Sequence, residues 1–353
     1  MLLLNLILSA GLLIKKINHE TDQSVSIVFD IPESLKFKYK YKAGQYITIK
    51  TVIDSEEVVR SYSICSAPSS GKLKIGVKAI PNGIFSNHAV HNLMIGDVME
   101  VSPPTGRFTV KDPHLENVLM GIAAGSGITP ILSIIHDTLE SNQDSKFILL
   151  YGNKSKNKTM FFEEIAQLEQ SYKNRFYCHK IFSQENNSDS EFGRIDSSFI
   201  NFCIKKHPNI KINKFVICGP EKLTIDSVET LKSLGYNEKD ILFELFFSEL
   251  KDNIEQDQKV DKITAKIICD FEDFEITIPK EMTILDAALE NNIDIPYSCQ
   301  GGVCSSCIGK ITEGSAKMTI NNVLSESEIS DGLTLACQAI PTSKNISIDF
   351  DDV

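Results

Sequence analysis

A set of four cysteines constrains this chain more than any other feature of its sequence. Four residues separate Cys299 from Cys304, two separate Cys304 from Cys307, and twenty-nine lie before Cys337. This spacing is typical of the plant-type [2Fe–2S] ligand set, in which a tight loop supplies three thiolates and a distant segment supplies the fourth. A structural zinc site usually has two CxxC pairs, and this sequence has only one. The pattern therefore predicts a [2Fe–2S] cluster.

Length and charge limit the remaining possibilities. The 353 residues are enough for two or three domains. Of the net charge of −11, residues 261–353 carry −10, so the other 260 residues are nearly neutral and nucleic-acid binding is not expected. The five other cysteines show no pairing pattern, which favours a reducing, cytoplasmic compartment. The apolar residues 1–11 are too short to span a bilayer and lack the basic start of a signal peptide, so we expect a strand-like leader and no membrane association.

Residues 12–112 consist of short alternating segments with turn signals between them, which predicts an antiparallel β-barrel. Within this region, Arg60 and Tyr62 would share one face of a strand, and Ser63 the other. A cation, a flat ring and a hydroxyl suit a planar cofactor with phosphates, although an ordinary surface strand is the alternative. Gly83 and Ser86 open a predicted short helix, whose N-terminus can hold a pyrophosphate.

From about residue 116 the pattern changes to strands alternating with helices. An apolar strand at 118–122 is followed by the loop GSGITP at 125–130 and then a helix, which is the dinucleotide layout with Pro130 at the third glycine position. Further strands at 146–153 and 214–220, with helices at 161–170 and 223–234, predict a parallel sheet. After a charged connector, residues 263–278 read as a hairpin, and Thr283 as the cap of a helix at 284–291.

In this order the three parts resemble flavin reductases of the ferredoxin–NADP⁺ reductase type fused to a C-terminal plant-type ferredoxin domain. The resemblance extends from Leu12 over nearly the whole chain. It implies a multidomain fold with an antiparallel β-barrel FAD domain at 1–112, an α/β parallel-sheet NAD(P) domain at 113–248, a linker at 249–260 and an α+β, β-grasp ferredoxin domain at 261–353. Residues 301–338 resemble the subfamily of reductase subunits that serve phenylacetyl-CoA epoxidases.

The resemblance also implies roles for the residues of the flavin site. Arg60 would bind the flavin phosphate, Tyr62 would lie against the isoalloxazine, and Ser63 would hydrogen-bond N5. Gly83 and Ser86 would hold the pyrophosphate, which implies FAD rather than FMN.

A second group of residues would form the nicotinamide nucleotide site. The resemblance implies that this site contains Gly125, Gly127, Thr129, Cys218, Glu244 and Phe246, and that Ser63, Cys218 and Glu244 are catalytic. For Cys218 and Phe246 the alternatives are a core thiol and a core aromatic, which are common in proteins.

The implied activity is electron transfer from NADPH or NADH through FAD and the [2Fe–2S] cluster to an oxygenase component. The partner could instead be a Rieske oxygenase, a di-iron oxygenase or a hybrid-cluster protein. A redox-sensing regulator is a further alternative, but a sensor has no need of the nucleotide loop.

Two smaller features leave alternatives open. Lys154, Lys156 and Lys158 follow the second strand of the nucleotide domain where an NAD-specific site would have an acid, which favours NADPH; a solvated lysine-rich loop is the alternative. His88 and His91 have a spacing that would suit a metal, but without acidic or cysteine partners we expect them on a helix surface.

Overall fold

The structure is a computed structural model, and it describes residues 9–110, 118–245 and 263–353 except 271, 292, 294, 298, 299, 303, 304 and 322. The chain divides into two compact units, of which one covers Ile7–Phe246 and the other contains Phe247–Val353. Among the described residues, every helix is too short or too polar to cross a membrane. Residues 1–8 of the apolar leader at 1–11 and the predicted linker at 249–260 lie outside the described residues, whereas Ala10 and Gly11 of the leader begin the first strand.

The first sheet is antiparallel throughout, with the strand order β4-β3-β6-β1-β2-β5. Its strands are β1 (Ala10–Thr21), β2 (Ser24–Asp30), β3 (Tyr46–Ile53), β4 (Glu56–Ser63), β5 (Leu73–Lys78) and β6 (Val98–Val101). An antiparallel bridge between Ile64 and Ile75 joins the two outer strands and closes the sheet into a barrel. Helix α1 (Ile84–His91) packs Phe85 and Ala89 into the barrel core.

The second sheet is parallel throughout, with the strand order β10-β9-β8-β7-β11-β12. Its strands are β7 (Val118–Ala124), β8 (Lys146–Asn153), β9 (Phe176–Phe182), β10 (Glu191–Phe192), β11 (Lys214–Gly219) and β12 (Ile241–Leu245). The helices between them are α2 (Ile128–Ser141), α3 (Phe162–Ser171), α4 (Ser197–Lys206) and α5 (Glu221–Ser233). The strand order reverses between β7 and β11, and ligands of open α/β sheets bind at such a switch point.

The barrel and the parallel sheet pack into one unit. Phe108 from the barrel side belongs to the same buried apolar cluster as helices α2 and α3. Across this contact, Ser133 of α2 donates a hydrogen bond to the Ser66 carbonyl (2.6 Å), and Lys74 of β5 pairs with Glu164 of α3 (2.8 Å). These contacts fix the barrel and the parallel sheet relative to each other, so side chains from both can meet at their boundary.

The second unit is built on a mixed sheet with the strand order β14-β13-β19-β15-β17. Its elements are β13 (Ile263–Cys269), β14 (Glu272–Ile278), α6 (Ile284–Glu290), β15 (Ile308–Glu313), β16 (Ala316–Met318), α7 (Glu326–Ser330), β17 (Leu333–Leu335), β18 (Ala339–Pro341) and β19 (Asn345–Asp349). The central pair β13 and β19 is parallel, while β16 and β18 form a separate antiparallel ribbon. Helix α6 buries Ile284 and Leu285 in the core of this sheet.

The predicted fold class, a barrel, a parallel α/β sheet and a ferredoxin-type α+β unit, is confirmed. The hairpin β13–β14 and the Thr283 cap, whose side chain accepts the Asp286 N–H at 3.1 Å, are as expected. The sequence pattern does not predict β9 (FYCHKIF), because this segment is neither alternating nor continuously apolar. Helix α4 was not predicted either. The exact domain boundaries stay predictions.

Candidate flavin, nucleotide and cluster sites

Strand β4 carries the residues that we expect to contact the flavin. Tyr62 packs its ring against Phe85 of α1, with 5.2 Å between the ring centroids, and its burial raises the pKa of the phenol, which stays protonated. Arg60 donates to the Val59 carbonyl at 2.8 Å. The structure thus brings the predicted strand next to the start of α1.

The start of α1 contains the other two predicted flavin residues. Gly83 directly precedes the helix, and the buried Ser86 lies in its first turn. The Ser86 hydroxyl accepts the Ile80 N–H at 3.3 Å, so the hydroxyl proton remains available for a phosphate oxygen. His88 and His91 occupy the last turn of α1, and among the described residues no third side chain completes a metal site with them.

The predicted catalytic residues meet where the barrel contacts the parallel sheet. Ser63 at the end of β4 donates a hydrogen bond to Glu244 Oε2 at 3.3 Å. Glu244 lies on β12, directly opposite Cys218 in the register of β11. Burial raises the pKa of the Glu244 carboxyl to about 8, although the Ser63 hydroxyl favours the charged form. Burial, together with the Glu244 charge, raises the pKa of Cys218 well above its ordinary value, so its thiol is neutral.

The glycine loop lies between the carboxyl end of β7 and the start of α2. A Cβ atom at Gly127 would lie 2.1 Å from the Cys218 carbonyl oxygen, so only glycine lets the loop approach β11 this closely. Thr129 donates from its hydroxyl to the Ser126 carbonyl at 3.0 Å, and Tyr151 donates to the Gly125 carbonyl at 3.0 Å. The loop is therefore held in one conformation beside the switch point, with the N-terminus of α2 facing it.

Lys78 lies at the same loop, although no sequence motif marks it as a site residue. A methyl group placed on Gly125 would lie 3.5 Å from Lys78 Nζ. Burial lowers the pKa of Lys78, and the charges of Lys154 and Lys158 lower it further. The positive charges of these three lysines exceed the negative charge of the one carboxylate that acts on Lys78, Asp22, so they would attract an anion such as a phosphate. In the sequence, only the position of Lys78 at the end of β5 could have indicated this role.

The lysines of the loop after β8, Lys154, Lys156 and Lys158, have different surroundings. Lys158 pairs with Asp22 of the barrel at 2.5 Å, and Lys156 places its ammonium over the Phe162 ring, 4.8 Å from the centroid.

At the end of β8, the amide of Asn153 is shielded from solvent and makes no hydrogen bond to any described residue. A buried amide without partners is costly, and a polar ligand at the carboxyl edge of the sheet would satisfy it. The residues present therefore fit a nicotinamide nucleotide.

Two of the four predicted cluster ligands are described. Cys307 and Cys337 are both buried, and the Ala336 N–H donates to the Cys307 carbonyl at 2.9 Å, which ties the fourth-ligand segment to the end of the cysteine loop. None of the seven described cysteines forms a disulfide. Cys299 and Cys304 lie outside the described residues, as does Phe246 of the nucleotide site. The donor set and the convergence of both chain segments fit a [2Fe–2S] cluster.

Family models match all three parts of the chain. An oxidoreductase FAD-binding domain matches residues 12–110, an oxidoreductase NAD-binding domain matches 122–229, and a 2Fe-2S iron-sulfur cluster binding domain matches 268–342. These matches agree with the positions of the barrel, the parallel sheet and the mixed sheet.

Curated relatives match over nearly the entire length. A component of the 1,2-phenylacetyl-CoA epoxidase of Escherichia coli K12 is 36% identical over 349 residues, covering 97% of each chain. The ferredoxin reductase component of 3-ketosteroid-9-alpha-monooxygenase from Rhodococcus rhodochrous is 30% identical, again with 97% of each chain covered. The chain belongs to the family of oxygenase reductase components.

As a member of this family, the reductase is an NAD(P)H-dependent oxidoreductase with FAD and a [2Fe–2S] cluster as cofactors. Among solved structures, phthalate dioxygenase reductase has the same fold, with a TM-score of 0.60 at 21% identity over 97% of this chain and 98% of the other. Homologues named as reductase components of monooxygenases agree with an oxygenase as the electron acceptor.

Proposed function

We propose that this reductase takes electrons from NADPH and delivers them to the oxygenase component of a phenylacetyl-CoA epoxidase. The observation that carries the proposal is the 36% identity to the Escherichia coli epoxidase component over 97% of both chains, because a match of this extent includes all three domains and their order. We further propose a cytoplasmic location, in accord with the absence of disulfides among the seven described cysteines, and the domain boundaries 1–112, 113–248 and 261–353 with a linker at 249–260.

The cofactors supply chemistry that side chains lack: bound FAD accepts a hydride from the nicotinamide, and a [2Fe–2S] cluster carries single electrons. Four cysteines, Cys299, Cys304, Cys307 and Cys337, would hold the cluster. Arg60, Tyr62, Gly83 and Ser86 would bind the flavin and orient its ring, and Gly125, Gly127, Thr129 and Phe246 would receive the nucleotide.

The chain's own contribution to the transfer step is a neutral arrangement of the buried Ser63 and Cys218 with the half-buried Glu244. At neutral pH the Glu244 carboxyl keeps its proton, because its pKa is about 8. Neither Glu244 nor Cys218 then places a negative charge where a hydride arrives. The Ser63 hydroxyl, 3.3 Å away, is placed to relay a proton to or from the Glu244 carboxyl.

The proposal is tested by reconstitution with the oxygenase components of the Escherichia coli epoxidase. With NADPH, oxygen consumption should depend on both the reductase and phenylacetyl-CoA. The matched control is the oxygenase component of the Rhodococcus 3-ketosteroid monooxygenase with its steroid, which should consume little oxygen with this reductase. If only the steroid enzyme consumed oxygen, the proposed epoxidase partner would be wrong, but the assignment as a reductase would remain.

A further inference from the structure

Gln338, the residue after Cys337, is a buried polar side chain, only 8% exposed, in the second unit. Its amide nitrogen donates to the Gln300 carbonyl at 2.9 Å. Its amide oxygen accepts the Thr319 hydroxyl at 2.6 Å. Both ends of the amide are therefore occupied, and the Gln300 carbonyl fixes the orientation of the amide, since a carbonyl only accepts and must face the NH₂ group.

The recipient of this hydrogen bond lies inside the cysteine loop, between Cys299 and Gly301. Gln300 has a φ of 52°, in the left-handed region that residues with a side chain rarely adopt. Such a backbone persists only when its surroundings hold it there. The bond from Gln338 holds the Gln300 carbonyl, and because the peptide is planar and trans it also directs the Gly301 N–H to the opposite side.

Close packing adds a second contact between the same parts. Gly302 has a φ of 72°, and a Cβ atom there would lie 2.8 Å from Gln338 Cγ and 2.8 Å from the Ile320 carbonyl oxygen. The Thr319 N–H donates to the Gln338 carbonyl at 3.0 Å, which extends the β16–β18 ribbon to the loop. The ribbon thus places Gln338 and Thr319 directly against residues 300–302.

We propose that Gln338 and Thr319 form a clamp that positions the cysteine loop against the Cys337 segment and thereby slows loss of the cluster. Both are positioning residues, because they act through the backbone of Gln300 and supply no ligand. The inference rests on the proposed cluster ligation by Cys299, Cys304, Cys307 and Cys337.

The deciding variant is Thr319→Val, which keeps the shape of the side chain but removes the hydroxyl that donates to the Gln338 amide oxygen. We expect it to release iron to a chelator about fivefold faster than the wild-type holoenzyme, the effect of losing one hydrogen bond. Its electron paramagnetic resonance spectrum after reduction should also change. Gln338→Met should behave in the same way, and Thr319→Ser should restore both properties.

Thr312→Val is the matched control, because Thr312 is also an exposed threonine of this unit and donates to a backbone carbonyl, that of Ser347, away from the loop. It should match the wild type in both measurements, and NADPH should reduce the flavin at the same rate in all variants. Wild-type iron release and an unchanged spectrum in Thr319→Val would overturn the clamp alone. A wild-type protein that holds no [2Fe–2S] cluster would overturn the ligand assignment and the clamp with it.

Discussion

Ser63 and Glu244 lie 181 positions apart in the sequence, and the Ser63 hydroxyl donates to Glu244 Oε2 at 3.3 Å. One belongs to the barrel and the other to the last strand of the parallel sheet, so the contact forms only when both pack together. It lies next to Cys218, the third proposed catalytic residue. We therefore propose that the protonation state of Glu244 affects the transfer of hydride.

We predict that the rate of flavin reduction by NADPH falls as pH rises through about 8, the pKa to which burial raises the Glu244 carboxyl. Above that pH the carboxylate is negative, and it opposes the arrival of a hydride. In Glu244→Gln the inflection should disappear. Stopped-flow reduction between pH 6 and pH 9.5 would check this, and an unchanged inflection in the variant would assign it to another group.

The same group should affect stability. The Glu244 pKa rises from 4.5 to about 8 on folding, so the folded state holds more protons than the unfolded state between these values. Stability from this group is complete below pH 4.5 and is lost as pH rises towards 8. The thermal midpoint of Glu244→Gln relative to wild type should therefore increase from pH 5.5 to pH 8. A constant difference would mean that the carboxyl is ionised throughout.

Lys78 should contribute to nucleotide affinity. Its ammonium lies beside the Gly125 loop and is partly desolvated, so it can form a charge-assisted bond to a phosphate oxygen. Lys78→Met should raise the KM for NADPH about tenfold, with a smaller change in kcat. The control is Lys72→Met, at an exposed lysine before the same strand. Equal effects of both substitutions would contradict a specific contact.

We predict a preference for NADPH over NADH, and the different surroundings of the three lysines show which one to substitute. Lys158 and Lys156 have contacts to Asp22 and Phe162, whereas the charge of Lys154 acts on Lys78 at the loop. Lys154→Ala should reduce kcat/KM for NADPH and leave that for NADH nearly unchanged. Equal wild-type kcat/KM values for the two nucleotides would show that the lysines do not read a 2′-phosphate.

The charge of −10 in residues 261–353 should guide the reductase to a basic surface on its partner. Electron delivery to the partner should then slow as salt increases, while flavin reduction changes much less. The structure limits the choice of variants, because Glu328 accepts the Ser325 N–H at 2.9 Å in a capping box. Glu326→Lys combined with Glu328→Gln keeps the cap, since glutamine can serve at this position.

The matched control for this double variant is Glu229→Lys, an exposed site on α5 of the other unit. At low salt, stopped-flow measurements should show slower partner reduction in the double variant than in the wild type or in Glu229→Lys, and this difference should shrink at high salt. A partner step that responds neither to salt nor to these substitutions would leave the acidic surface with a role in solubility alone.

Local sequence patterns were enough to predict most of the fold. The limits of β5 and β8 could be read directly from apolar alternation and from an apolar run ending in glycine, and the glycine loop identified the start of α2. Contacts between distant segments could not be read in this way. Three contacts depend on how separate elements pack: the hydrogen bond from Ser63 to Glu244, the proximity of Lys78 to the Gly125 loop, and the hydrogen bond from Gln338 to Gln300.

We propose that one chain passes electrons from NADPH through FAD to a [2Fe–2S] cluster held by the four cysteines. Anaerobic titration with NADPH, followed by visible absorbance and electron paramagnetic resonance, tests it most directly. The wild type and Cys269→Ser, a buried cysteine outside the pattern, should show both cofactors reduced. Cys304→Ser should retain a flavin that NADPH reduces and lose the cluster signal. A cluster signal that persists in Cys304→Ser would rule out this ligand set, and a wild-type cluster that NADPH leaves oxidised would rule out this electron route.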